Sequence, residues 1–104
     1  MVERPALGWW IGVIGGMTFL GLVAFEPRTA AGWSRRAGDR VPRRAYQALF
    51  AASLATHAAE AAVAARIARR AGLAVGPWTR QTLLLGYPSL RLLRRAAARA
   101  AQPA

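Results

Sequence analysis

His57 and Glu60 stand three residues apart in an alanine-rich stretch, a spacing that brings both side chains to one face of a helix. A histidine beside a carboxylate can trade a proton near neutral pH, or offer a donor and an acceptor to one ligand. Helical steps along that face add Tyr46 and Ser53 in one direction and Ala64 in the other, so a polar stripe results. Arg80 and Gln81 are the partners that a neighbouring helix would bring to it. The plainer role for the stripe is an interhelical hydrogen bond that fixes register, and at this level both roles stand. One histidine and one nearby carboxylate are too few ligands for a metal. The chain has no cysteine, which removes disulfides and thiol nucleophiles. It also shows no glycine-rich phosphate loop, nucleophile elbow or paired-carboxylate motif. No catalytic residue is assigned, no cofactor is expected, and a noncatalytic role is favoured over an enzymatic one.

Three uncharged or weakly charged segments must position these residues. Residues 7–25, LGWWIGVIGGMTFLGLVAF, carry no charge; at 1.5 Å per residue they span about 28 Å, close to the hydrocarbon thickness of a bilayer. Gly8, Gly12 and Gly16 recur every four residues and leave a bare strip of backbone where a second helix can approach. The run exceeds the apolar core of a signal peptide, and no small-x-small cleavage site follows it directly. Residues 45–65, AYQALFAASLATHAAEAAVAA, have very high helix propensity but only moderate hydrophobicity, opposed further by His57 and Glu60. Glu60 would sit about 7 or 8 Å from the midpoint of this span, where an ionised carboxylate must be paired, neutral or wet. Residues 78–93, WTRQTLLLGYPSLRLL, form the third segment. There Thr82, Gly86 and Ser89 line one face as a packing strip, Arg80 and Arg91 snorkel from near the ends, and Pro88 introduces a kink. The expected fold is all-α: a single domain over residues 1–104, built as a small bundle of three membrane-spanning helices. A basic loop over 26–44 and a basic tail over 94–104 complete it.

The net charge of +11 rests on 15 basic residues, all arginine, gathered between the apolar runs. That placement points to lipid rather than nucleic acid: the bilayer is the expected partner, with the arginine-rich loop and tail attracting anionic lipids. No nucleic-acid partner is expected, because a soluble nucleic-acid binder has no use for an uncharged nineteen-residue run. With three crossings, ten arginines fall on the side of the first loop and the tail against five on the other. The positive-inside rule then places the N-terminus outside and the C-terminus in the cytoplasm.

His57-x-x-Glu60, Ala64, a basic cluster, Gly72-Leu73 and Trp78-x-x-Gln81-Thr82-x-x-x-Gly86-x-x-Ser89-Leu90, in that order, resemble the pattern of the small integral membrane family called transmembrane protein 254. The resemblance covers roughly the last half of the chain and implies a membrane protein of similar size with no assigned reaction. The sequence departs from that pattern in its alanine-rich second helix, in Arg80 and in Pro88.

Two functions follow as expectations. The first is a noncatalytic scaffold or accessory subunit, in which glycine and alanine faces assemble homo- or hetero-oligomers. The second is an intramembrane lipid-binding or isomerase-like protein that uses the His57 and Glu60 pair, by analogy with membrane sterol isomerases that place His and Glu inside a helical bundle.

Overall fold

Backbone surrounded by oil has to bond to itself, and residues 7–25 do so as one helix in a computed structural model that describes residues 2–103. Five α-helices and no strand are found among those residues: α1 (Leu7–Phe25), α2 (Pro27–Ala37), α3 (Arg43–Ala71), α4 (Val75–Leu85) and α5 (Tyr87–Ala100). Helices α1 and α3 are long and apolar enough to cross a membrane.

The chain leaves α1 through Glu26, whose backbone N–H still donates to the Leu22 carbonyl. Its carboxylate then accepts from the backbone N–H groups of Arg28 (3.1 Å) and Thr29 (2.6 Å) and from the Thr29 hydroxyl (2.6 Å), and Pro27 stands in the first turn. This is a complete N-cap, so much of the basic stretch expected as a loop over 26–44 is helix α2. Trp33 docks α2 onto the spans, packing edge-to-face on Phe19 with ring centroids 5.2 Å apart and donating from Nε1 to the Tyr46 hydroxyl (3.0 Å).

At this end of the molecule α1 and α3 are clasped by polar contacts. Arg43 donates from Nε to the Ala24 carbonyl (2.8 Å) and from Nη2 to the Phe25 carbonyl (2.8 Å), while the Gln47 amide also donates to Ala24 (3.0 Å). The last carbonyls of a helix have no intrahelical partner, and α3 supplies it. Gly21 lets Phe50 lie against the α1 backbone: a Cβ there would meet the ring at 3.1 Å.

Helix α3 runs on to Ala71, six residues past the expected 45–65 segment, and its 29 residues measure about 43 Å. It stops at Gly72, whose φ of 70° and ψ of 24° make a left-handed cap, with the Leu73 N–H returning to the Ala68 carbonyl (2.8 Å).

The expected third span is not one helix. At Gly86 the backbone takes φ 70° and ψ −131°, a conformation that only glycine adopts readily, and the chain divides into α4 and α5. Pro88 falls in the first turn of α5, where its missing N–H costs no hydrogen bond, so the break belongs to glycine rather than to proline. The eleven residues of α4 and fourteen of α5 extend about 16 and 21 Å, too short for a hydrocarbon core of about 30 Å. Two helices therefore meet the requirement for a span, not three.

Both short helices pack on the C-terminal half of α3. Ala64 and Ala68 of α3, Trp78 of α4, and Leu90 and Leu93 of α5 form the buried cluster, with Val2 and Ile67 against it. Ile67, Arg70 and Ala71 border the same cavity as Ala97, Ala100 and Ala101, so α5 ends beside the end of α3. Helix α4 thus runs back along α3, turns at Gly86, and α5 returns. The residues ahead of α1 reach this end too: Glu3 pairs with Arg99 and its carbonyl accepts from Gln81.

Candidate functional site

The turn at Gly86 brings α4 and α5 to rest against the middle of α3, and the groove beside it holds the one histidine of the chain. His57 Nδ1 lies 2.9 Å from the Leu83 carbonyl. A carbonyl only accepts, so Nδ1 carries the proton and donates it. Leu83 is in the last turn of α4, where the helix ends too early to satisfy its own carbonyls. In oil such a group is costly, and His57 supplies the donor that the broken helix lacks.

That bond fixes the other ring nitrogen. Nε2 lies 3.1 Å from the position a Cβ on Gly86 would occupy, and Glu60 Oε1 lies 3.0 Å from the same point. The second ring nitrogen and the Glu60 carboxyl thus border one small volume, open because residue 86 has no side chain. Among the described residues Glu60 forms no ion pair. The pair borders an open groove of ≈ 560 Å³, with apolar walls from Val13 and Met17 of α1, Leu49 of α3 and Leu85 of α4. Ser53 and Thr56 line it as well, but their hydroxyls donate back to the carbonyls of Leu49 (2.9 Å) and Ala52 (2.9 Å). Sequence reading missed Thr56, although Ser53, Thr56 and Glu60 follow three-then-four helical spacing, so the signal was present.

The other expected members of the polar site lie elsewhere. Arg80 is exposed and borders a separate cavity with Arg4 and Trp10. Gln81 is buried in the seam between α4 and α5, donating to the Ser89 hydroxyl (3.1 Å) as well as to Glu3, and Thr82 and Ser89 share a further hydrogen bond (3.0 Å). Thr82 and Ser89 therefore meet across the turn rather than along one helix face, with Gly86 as the turn between them. On α1, a Cβ at Gly8, Gly12 or Gly16 would meet nothing within 4 Å, so this chain covers none of that strip. No group of three or more His, Cys, Asp or Glu able to hold a metal occurs among the described residues.

A carboxyl group without an ion-pair partner, beside a second ring nitrogen, can hydrogen-bond to a hydroxyl or an ammonium head, while the groove walls take a hydrocarbon tail. No curated protein and no solved structure gives a significant match to the chain. The sequence profile of the family described as transmembrane protein 254 matches residues 8–95, which takes in the spans, the groove and the polar seam. The chain belongs to the transmembrane protein 254 family.

Proposed function

We propose that the protein is a noncatalytic membrane protein that holds a small amphipathic molecule in the groove between α1, α3 and the Gly86 turn. The observation that supports this reading is Glu60, with no ion-pair partner among the described residues, beside the second ring nitrogen of His57 on the wall of a ≈ 560 Å³ opening, while His57 Nδ1 ties α3 to α4 and Gln81, Thr82 and Ser89 tie α4 to α5. A pair needed only for packing would sit in a dry seam. The head group that fits is a polar one that hydrogen-bonds to the Glu60 carboxyl and the second ring nitrogen of His57.

Purified protein in nanodiscs, melted with and without sphingosine as a long-chain amino alcohol, tests the reading. Stabilisation of the parent protein that disappears in Glu60→Gln supports it. Equal stabilisation of both removes any charged role for Glu60.

A second reading, assembly with another helix, is favoured by the uncovered glycines of α1. Under it, Gly12→Leu breaks up a defined oligomer on size-exclusion chromatography. An unchanged elution position, or a monomeric parent, counts against self-assembly.

A further inference from the structure

The free ends of α3, α4 and α5 meet at one end of the molecule together with the residues ahead of α1. From Ala71 back to His57 the axis of α3 covers about 21 Å, and α4 descends about 15 Å over the same stretch. The Gly86 turn is therefore level with His57 and Glu60, within the arginine-free part of α3. Gly16 and Met17, at the centre of the uncharged α1, border the same groove as Tyr87 and Pro88. The tip of the α4–α5 pair is thus close in level to the centre of α1, and its outer ends are not.

Side chains agree with this depth. Leu83, Leu84 and Tyr87 near the tip are exposed apolar groups, whereas Arg66, Arg69, Arg70, Arg94, Arg95 and Arg99 lie toward the outer end and are all exposed; Arg80 and Arg91, also exposed, stand between, about 9 and 8 Å along their helices from Gly86, within reach of the headgroups by snorkelling. Of these, only Arg99 has an acidic partner among the described residues. Non-crossing backbone survives at membrane depth only where protein or water satisfies it; here His57 caps Leu83 and the Gly86 N–H bonds to the Thr82 carbonyl.

We propose that α4 and α5 form a wedge that enters one leaflet and turns back without crossing, its arginine ring seated on the anionic headgroups of the cytoplasmic leaflet. With two crossings, Glu3 and Arg99 lie on one side. Arg4, Arg66, Arg69, Arg70, Arg80, Arg91, Arg94, Arg95 and Arg99 are then nine on that side, against six between Arg28 and Arg44. The positive-inside rule puts the nine in the cytoplasm, so both ends of the described chain face it. This replaces the opposite-side arrangement that three crossings would require.

The absence of cysteine makes the test direct. Single variants Arg4→Cys, Arg40→Cys and Gln102→Cys are treated with a membrane-impermeant maleimide in intact cells and again after permeabilisation. The wedge requires residue 40 to label in intact cells, and residues 4 and 102 only after permeabilisation. Labelling of 4 and 102 on opposite sides means that the pair crosses, and labelling of both from outside means the wrong leaflet; either overturns the proposal. Hydrogen exchange in nanodiscs tests the headgroups. Replacing about one third of the phosphatidylcholine by phosphatidylglycerol slows exchange in α5, and Arg94→Gln with Arg95→Gln shrinks that gain about fivefold per arginine removed. Equal exchange in both lipids overturns the headgroup contact.

Discussion

The two halves of α3 are covered in opposite ways. Its first half has α1 alongside and little else: only 11% of the apolar stretch of either span is buried, and large groups such as Trp9, Ile11, Leu22 and Leu49 stay exposed. Its second half is wrapped by α4 and α5, where Trp78, Leu85, Leu93, Thr82 and Ser89 are almost wholly enclosed. The contrast follows from solvent. Where lipid surrounds a helix, apolar side chains gain nothing by leaving it, and association rests on close contacts and hydrogen bonds such as those from Arg43. Toward the outer ends of α4 and α5, where the proposed wedge meets headgroups and water, removing Trp78 and Leu93 from water adds a driving force; nearer the tip the hydrogen bonds of Gln81, Thr82 and Ser89 hold the pair. His57 and Glu60 lie at the junction.

The sharpest way to break this comparison is to truncate one leucine in each half. Leu93→Ala empties a fully enclosed site and should lower the free energy of unfolding by about 3 kcal/mol, read by chemical denaturation in mixed micelles. Leu22→Ala removes a side chain that is 42% exposed, with lipid to replace its contacts, and should cost well under about 1 kcal/mol. Similar losses at the two sites would mean that both halves share one kind of core.

Glycine gives the next contrast. Gly86→Ala forces an L residue into φ 70° and ψ −131°, a cost of about 2 kcal/mol. Its Cβ also presses on Glu60 Oε1 and His57 Nε2. The Glu60 head can swing aside, so the backbone carries most of the penalty, but the moved head should also weaken any ligand response in the groove. Gly12→Ala meets open space on a helix and should be neutral or stabilising by about 0.5 kcal/mol. A loss at Gly12 as large as that at Gly86 would show that a partner helix covers the α1 strip.

Smaller again is the seam. Ser89→Ala leaves Gln81 and Thr82 each short of one hydrogen bond in a buried setting, about 1 to 2 kcal/mol. The exposed Ser53 hydroxyl bonds only to its own helix, and Ser53→Ala should fall below the resolution of the same assay.

What the sequence made legible divides along the same line. The first span was readable to the residue, because an uncharged run bounded by Glu26 and Pro27 has one structural solution in oil. The polar spacing of His57 with Glu60 was readable from helical periodicity; Thr82 and Ser89 do meet, but across a turn rather than along one helix face. The break at Gly86 was not: glycine is common in membrane helices, Pro88 drew attention to the wrong position, and the reversal depends on a positive φ that the α3 surface stabilises from outside the segment. Arg80 and Gln81 were expected beside His57 and Glu60 if the second and third helices packed antiparallel. Helix α4 does run back along α3, but Gln81 turns to Ser89 of the returning α5 and to the Glu3 carbonyl, and Arg80 is exposed. Helix α2 was hidden by its arginines, although the Glu26, Pro27 and Thr29 cap was there to be read.

That cap supplies the mildest test, because it lies in the sparsely packed half but outside the oil. The Thr29 hydroxyl, then the Thr29 and Arg28 backbone N–H groups, hold the Glu26 carboxyl below its ordinary value of 4.5. A carboxyl with a depressed folded pKa stabilises the cap above its unfolded value, and the contribution fades as the pH falls through the folded one. Acidification below about 4.5 should therefore loosen α2 first, seen as faster hydrogen exchange between Thr29 and Trp33, with α4, and α5 ahead of the Arg99 that pairs with Glu3, unaffected. Glu26→Gln should make that segment insensitive to pH over the same range, since the amide oxygen still accepts but no longer titrates. If exchange in α5 rises in step with α2, the two halves unfold as one unit and the distinction between them is geometric rather than energetic.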